Sequence, residues 1–183
     1  IAQKSPDAVA IESETIKISY HELNQTIELF CNHFKTKLPS KIAINAVKTH
    51  ESITCIFSFF RLGIITLLLS GNSPKKEQKQ LMKRAHIFDL YERETLGQIS
   101  MSNKTSEHYK YIDNQNPVTI ITSSGSTGDP KLIVHSAKNH LASARASLER
   151  VPLEMGDKWG LSLDLHHVSG LSILWRCFQV GAT

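Results

Sequence analysis

Two apolar stretches separated by a single glycine set the tightest limit on how this chain folds. Residues 51–62 are apolar nearly all round, and residues 64–69, beyond Gly63, contain no charged side chain. A segment that is apolar on every side must be covered on every side. A membrane would do this, but Arg61 and Gly63 interrupt the run and no charged flanks frame it as a span. A buried helix, a break at Gly63 and a buried strand fit better. Residues 42–47 read as another buried strand before the helix. Ser73-Pro74 opens a further helix, with proline suited to the first turn. Residues 87–90 read as a short strand. Strand, helix, strand, helix, strand in this order predicts an α/β fold: a layered, mostly parallel sheet flanked by helices.

The rest of the chain extends this pattern. Residues 8–11 and 16–18 read as short strands around a Ser-Glu-Thr turn. Ser19 and Glu22 have the spacing of a capping box. Leu23, Ile27, Phe30, Cys31 and Phe34 then follow at helical intervals. Residues 92–116 are polar and weakly patterned, and read as a connector. Ser136 is placed to cap a helix over 137–150. Residues 158–163 read as a strand, 166–170 as a turn and 171–180 as a helix. The expected organisation is an N-terminal α/β subdomain over 1–116, with the connector near its end, and the start of a second over 117–183. At 183 residues the chain can build one domain with a substantial core or two small ones.

Charge and cysteine content exclude several classes. The net charge of +4 is mild and the basic residues are scattered. Their densest cluster is Lys75, Lys76, Lys79, Lys83 and Arg84. No aromatic residues interleave it, so it reads as a solvated helix face rather than a nucleic-acid surface. Cys31, Cys55 and Cys177 lie far apart among apolar neighbours, without metal-ligand spacing. They read as buried reduced thiols. With no signal peptide in view, the expected location is cytoplasmic.

The chemistry concentrates in Ser123-Ser124-Gly125-Ser126-Thr127-Gly128-Asp129-Pro130-Lys131. An apolar run precedes it over 118–122 and another follows over 131–135, so an entering and a leaving strand would fix the loop. Glycines let the backbone turn its N–H groups toward a ligand. Hydroxyls add donors, and lysine adds a positive point charge. That donor set suits a polyphosphate. By composition the run suits a flexible Ser/Gly hairpin equally well. It is not a Walker A motif, because Asp129-Pro130 separates Gly128 from Lys131.

The order of residues decides between these readings. From Ile121 to Lys131 the sequence resembles the phosphate-binding signature T-S-G-[ST]-T-G-x-P-K of the adenylate-forming enzymes. These include acyl-CoA synthetases, luciferases and peptide-synthetase adenylation domains. Ser123 replaces the first threonine, and Leu132 stands where a glycine often follows the lysine. The opening, from Pro6-Asp7-Ala8 to Tyr20-His21-Glu22-Leu23-Asn24, resembles the family's short hairpin and helix start. Leu62-Gly63-Ile64 resembles its turn before a buried strand. Downstream, Trp159-Gly160-Leu161-Ser162-Leu163 and His167-Val168-Ser169-Gly170-Leu171 most resemble the o-succinylbenzoate–CoA ligases. Their usual form is L-S-L-P-L-[FY]-H-[VI]-S-G, and here Asp164 replaces the proline and His166 the aromatic residue.

The resemblance implies a two-step ligase using ATP, Mg²⁺, a small-molecule carboxylate and CoA, with no nucleic-acid partner and no membrane span. Carboxylate attacks the α-phosphorus, giving an acyl-adenylate, and the CoA thiol then displaces AMP. Ser123, Ser124, Gly125, Ser126, Thr127, Gly128 and Lys131 are implied to hold the triphosphate, with Thr127 near Mg²⁺. Lys131 and Thr127 would stabilise the charge on the leaving pyrophosphate. His167 is implied to shape the acyl and thiol-entry region, His166 less so. His135 and His140 are expected to be structural or surface residues. The family's Y-G-x-[TS]-E segment has no counterpart, since no Tyr-Gly pair occurs. The expectation is therefore an N-terminal part of such an enzyme, without its C-terminal domain and inactive alone. Another fatty- or aromatic-acid ligase, or a non-catalytic nucleotide-binding domain, are the alternatives.

Overall fold

The computed structural model describes residues 4–34, 39–91, 114–123 and 130–183. Most of the expected connector (92–113) and the loop residues Ser124, Gly125, Ser126, Thr127, Gly128 and Asp129 lie outside the described residues. The chain opens with an antiparallel hairpin, β1 (Val9–Glu12) and β2 (Lys17–Ser19). Helix α1 (Tyr20–Phe34) follows at once. The Ser19 amide donates to Glu22 Oε2 at 2.7 Å, and the Glu22 amide donates to Ser19 Oγ at 3.1 Å. That reciprocal pair satisfies two N–H groups that a helix start leaves orphaned. Leu23, Ile27, Phe30, Cys31 and Phe34 are all buried, as their spacing requires.

The central sheet is built from β3 (Lys41–Asn45), β4 (Ile65–Leu69), β5 (Leu90–Tyr91), β6 (Pro117–Ser123) and β7 (Lys131–Ser136). Their spatial order is β5-β3-β4-β6-β7. The first four are parallel, and β7 returns antiparallel to β6. Helix α2 (His50–Arg61) links β3 to β4, and α3 (Lys75–Arg84) links β4 to β5. Helices α4 (Ala137–Arg150) and α5 (Val168–Val180) complete the chain.

The packing explains why the central residues of β3 and β4 are apolar on both faces. Ile42, Ile44 and Leu68 join one core with Phe30, Ile53, Phe59, Leu171 and Trp175, from α1, α2 and α5. Ala43, Leu67 and Leu69 join a second core with Leu81, Met82 and Ile87, at and just beyond α3. Side chains alternate between the faces of a strand, so a sheet covered on both sides needs apolar residues at every step. At ~25 cal/mol per Å² of buried apolar surface, such cores supply the main driving force for folding. Gly63 makes the break between α2 and β4 with φ of 72°, a left-handed conformation that favours glycine. The three cysteines are free and buried. The basic residues of α3 are exposed, as their sequence pattern implies.

Three expectations change. Residues 87–89 are not a strand: the chain leaves α3 through His86, whose φ is 53°, first bonds to β3 where the Asp89 carbonyl accepts from the Ala43 amide at 2.9 Å, and pairs with it at Leu90 and Tyr91. Residues 158–163 form no strand either. The Trp159 amide donates to the Thr183 carbonyl at 2.9 Å and the Ser162 amide turns back to Gly160, but these bonds form no ladder with another strand. A period-two pattern becomes a strand only with a ladder to pair with. Finally, α5 begins at Val168, so Ser169 and Gly170 belong to its first turn rather than to the preceding loop. Pro74 sits at the N-cap position of α3, one residue before the helix.

Candidate functional site

The parallel strands β3, β4 and β6 all end at one edge of the sheet, at Asn45, Leu69 and Ser123. In open α/β sheets this carboxyl edge is where ligands gather. Strand β6 is held between β4 and β7, with Val118, Thr119, Ile120 and Ile121 buried. Its last pair across the hairpin is Ser123 with Lys131. The two described ends of the loop are therefore fixed opposite each other, one offering a hydroxyl and the other an ammonium group. No helix starts at the downstream end of the loop, since Lys131 opens a strand. The donors must come from backbone, hydroxyls and lysine rather than from a helix terminus.

A second element reaches the same edge. Lys48, in the turn after β3, pairs with Asp164 at 3.5 Å and donates to the Ser162 carbonyl at 3.3 Å. Asp164, the replacement for the family proline, thus holds residues 162–164 over the end of β3. The fully buried Leu165 anchors the turn that follows. Gly170 is required there: a Cβ at this position would stand 2.2 Å from the Asp164 carbonyl oxygen. The His167 amide donates to that same carbonyl at 3.1 Å. His167 is the N-cap of α5, and its exposed side chain makes no capping bond. Its ring lies 4.0 Å from that of His166. Burial, and then the neighbouring His167, lowers the pKa of His166, with Asp164 opposing.

The fold places Ser123 and Lys131 together. His167 lies on another element, and no hydrogen bond joins it to either among the described residues. His140, expected as structural or surface, is a core residue. It is buried, bonded to Thr119 Oγ1 at 2.8 Å, and stacked at 5.2 Å on both His135 and Trp175. Burial pushes its pKa down to about 4. Among the described residues, no cluster of three or more His, Cys, Asp or Glu side chains could hold a metal ion. The described ends of the loop, a hydroxyl and a cation, are a donor set for phosphate oxygens rather than a metal cage.

Two contacts were not visible in the sequence. One is the Lys48–Asp164 pair. The other is Arg84 Nη2, which donates to the Pro130 carbonyl at 2.8 Å. The basic run containing Arg84 signalled only a solvated face, because nothing local says that the end of α3 lies beside the loop.

The AMP-binding enzyme profile matches residues 79–183, more than half of the chain. The chain belongs to the AMP-binding enzyme family. Among curated proteins it is similar to the 2-succinylbenzoate–CoA ligase of Bacillus mycoides (strain KBAB4), at 28% identity over 191 residues. The corresponding protein of Bacillus cereus (strain ATCC 10987 / NRS 248) is 27% identical. Each alignment covers 97% of this chain and 40% of the relative, so the chain spans about two fifths of the length of the curated relatives it matches. Among solved structures it resembles the N-terminal subdomain of Klebsiella oxytoca NpsA in complex with 3-hydroxyanthranilyl-AMSN. The TM-score is 0.87 at 19% identity, covering 99% of this chain and 49% of that one. It also resembles Bacillus subtilis O-succinylbenzoate coenzyme A synthetase (MenE) in complex with ATP and magnesium ion. There the TM-score is 0.82 at 22% identity, covering 100% and 54%. This family member shares their fold, a mixed five-stranded sheet flanked by helices.

Proposed function

We propose that this chain carries the polyphosphate grip of an acid–thiol ligase that makes an acyl-adenylate and then an acyl-CoA. The observation that carries this reading is the Ser123–Lys131 pair at the carboxyl edge of the sheet, at the mouth of a loop with the family's residue order. In the first step a carboxylate oxygen bonds to the α-phosphorus of ATP, and the bond to the bridging oxygen breaks. The electron pair leaves with pyrophosphate. Charge therefore builds on the departing oxygens, and fixed donors offset it without reorganising. Ser123, Ser124, Gly125, Ser126, Thr127 and Gly128 are the proposed hydroxyl and backbone donors, and Lys131 is the proposed cation. Mg²⁺ would enter with the nucleotide, with the Thr127 hydroxyl toward it, and would neutralise phosphate charge.

On the acyl side we assign His167 to shaping the site that takes the carboxylate and, in the second step, the CoA thiol. The substrates named for the relatives make 2-succinylbenzoate the first carboxylate to test. Asp164 and His166, at positions where the o-succinylbenzoate ligases usually carry proline and an aromatic residue, favour a second reading in which another aromatic or fatty acid is the substrate. Calorimetric titration of the chain with MgATP and with inorganic pyrophosphate tests the grip. Saturable binding of both supports it, and binding of neither overturns it. A carboxylate panel in coupled acyl-CoA formation tests substrate choice, and we expect little turnover from this chain alone.

A further inference from the structure

Lys131 carries the cation of the proposed grip on a flexible four-carbon stem. Its strand, β7, lies at the end of the sheet and, among the described residues, pairs only with β6. Something besides the hairpin ladder must fix its course. Both neighbours of Lys131 have contacts on the side of the sheet that α3 covers. On one side, the Pro130 carbonyl accepts from Arg84 Nη2 at 2.8 Å. On the other, Leu132 packs against the core that Leu81, Met82, Ala85 and Ile87, at and just beyond the end of α3, share with Ala43, Leu67, Leu69 and Ile120 of the sheet. Leu132 is half-buried against that core, whereas the next two residues, Ile133 and Val134, are exposed at 42% and 54%. Leu132 stands where related sequences often have glycine, which offers nothing to bury.

We propose that Arg84 is a positioning residue for phosphate binding: together with Leu132 it docks the downstream arm of the loop onto α3 and so sets where Lys131 meets a polyphosphate anion. This rests on the phosphate reading above. The bond is charge-assisted, and the planar guanidinium holds its direction better than an ammonium group would. Arg84 acts through the Pro130 carbonyl rather than by touching the ligand, so its effect is separable from the general positive field of α3. Lys83, one residue away and also exposed, supplies the same charge without that contact.

The experiment compares Arg84→Gln, Arg84→Lys, Lys83→Gln and Leu132→Gly with the wild-type chain, titrating inorganic pyrophosphate and MgATP at two salt concentrations. Arg84→Gln is expected to weaken pyrophosphate binding about three- to tenfold, with the melting temperature unchanged within about 2 °C. Arg84→Lys should recover part of the loss, and Lys83→Gln should stay within about twofold of wild type. Leu132→Gly should weaken binding as well, through the other contact. Wild-type affinity in Arg84→Gln overturns the proposal. So does an equal loss in Lys83→Gln that vanishes at high salt, which would make the effect one of bulk charge. Failure of the wild-type chain to bind either anion overturns the phosphate reading itself, and this inference with it.

Discussion

Acid should loosen this fold most through one histidine. His140 is buried at 2% exposure, bonded to Thr119 and stacked between His135 and Trp175. The groups that face it are therefore a hydroxyl, an indole and a second imidazole whose own pKa is lowered by burial. None offers a negative charge to stabilise an imidazolium. In the fold its pKa is pushed from 6.5 down to about 4, by burial first and then by His135. The unfolded chain binds the proton near the ordinary value, so as pH falls below about 6.5 the unfolded state is favoured. The stabilising term is complete above that pH and is lost as pH falls through about 4. The whole shift corresponds to about 3 kcal/mol, of which about 2 kcal/mol falls between pH 7 and pH 5. A small domain has roughly 5–15 kcal/mol of stability in total, so the loss is measurable. The assay is urea denaturation at half-unit pH steps for wild type and His140→Phe. The variant keeps a ring in the stack but orphans the Thr119 hydroxyl, costing about 1–3 kcal/mol at neutral pH. Its stability should fall less steeply with acid, by about 2 kcal/mol over pH 7 to 5. Parallel curves would refute the reasoning, as would an imidazole titrating near 6.5 by NMR.

Two further outcomes follow from packing. Gly170→Ala should destabilise by about 2–4 kcal/mol, because its Cβ meets the 163–164 backbone rather than a movable side chain; chemical denaturation checks this, and a shift of the His166 and His167 ring resonances reports movement of the turn. Burial pushes the Cys31 and Cys55 thiols up to about 12, so both should resist a thiol reagent in the folded chain and react fully in guanidinium; fast labelling of either in the folded chain would contradict the buried placement.

Local chemistry makes much of this fold legible in the amino-acid order. The capping pairs at Ser19 and Ser136 each close within three residues, so sequence alone contains both partners. The mostly apolar runs of β3, β4 and α2 announce a sheet covered on both faces, because consecutive apolar residues in a strand point to both sides of it. What stayed hidden depends on partners far along the chain. His140 meets Thr119 and Trp175 across helix, strand and helix, and nothing near any of them signals the stack. Arg84 reaches Pro130 only because α3 crosses beside the hairpin. Residues 158–163 carry a strand pattern, yet pattern does not supply a ladder. Gly170 reads as a turn residue from its neighbours. The close approach that demands a glycine instead falls inside the first turn of α5.

The central claim concerns one cation at the end of one loop. Calorimetric titration of inorganic pyrophosphate into the wild-type chain and into Lys131→Ala tests it most directly. The account predicts saturable binding by wild type and affinity lower by about tenfold or more in the variant, consistent with loss of a charge-assisted contact, at an unchanged melting temperature. Equal affinities in two equally folded proteins would contradict it.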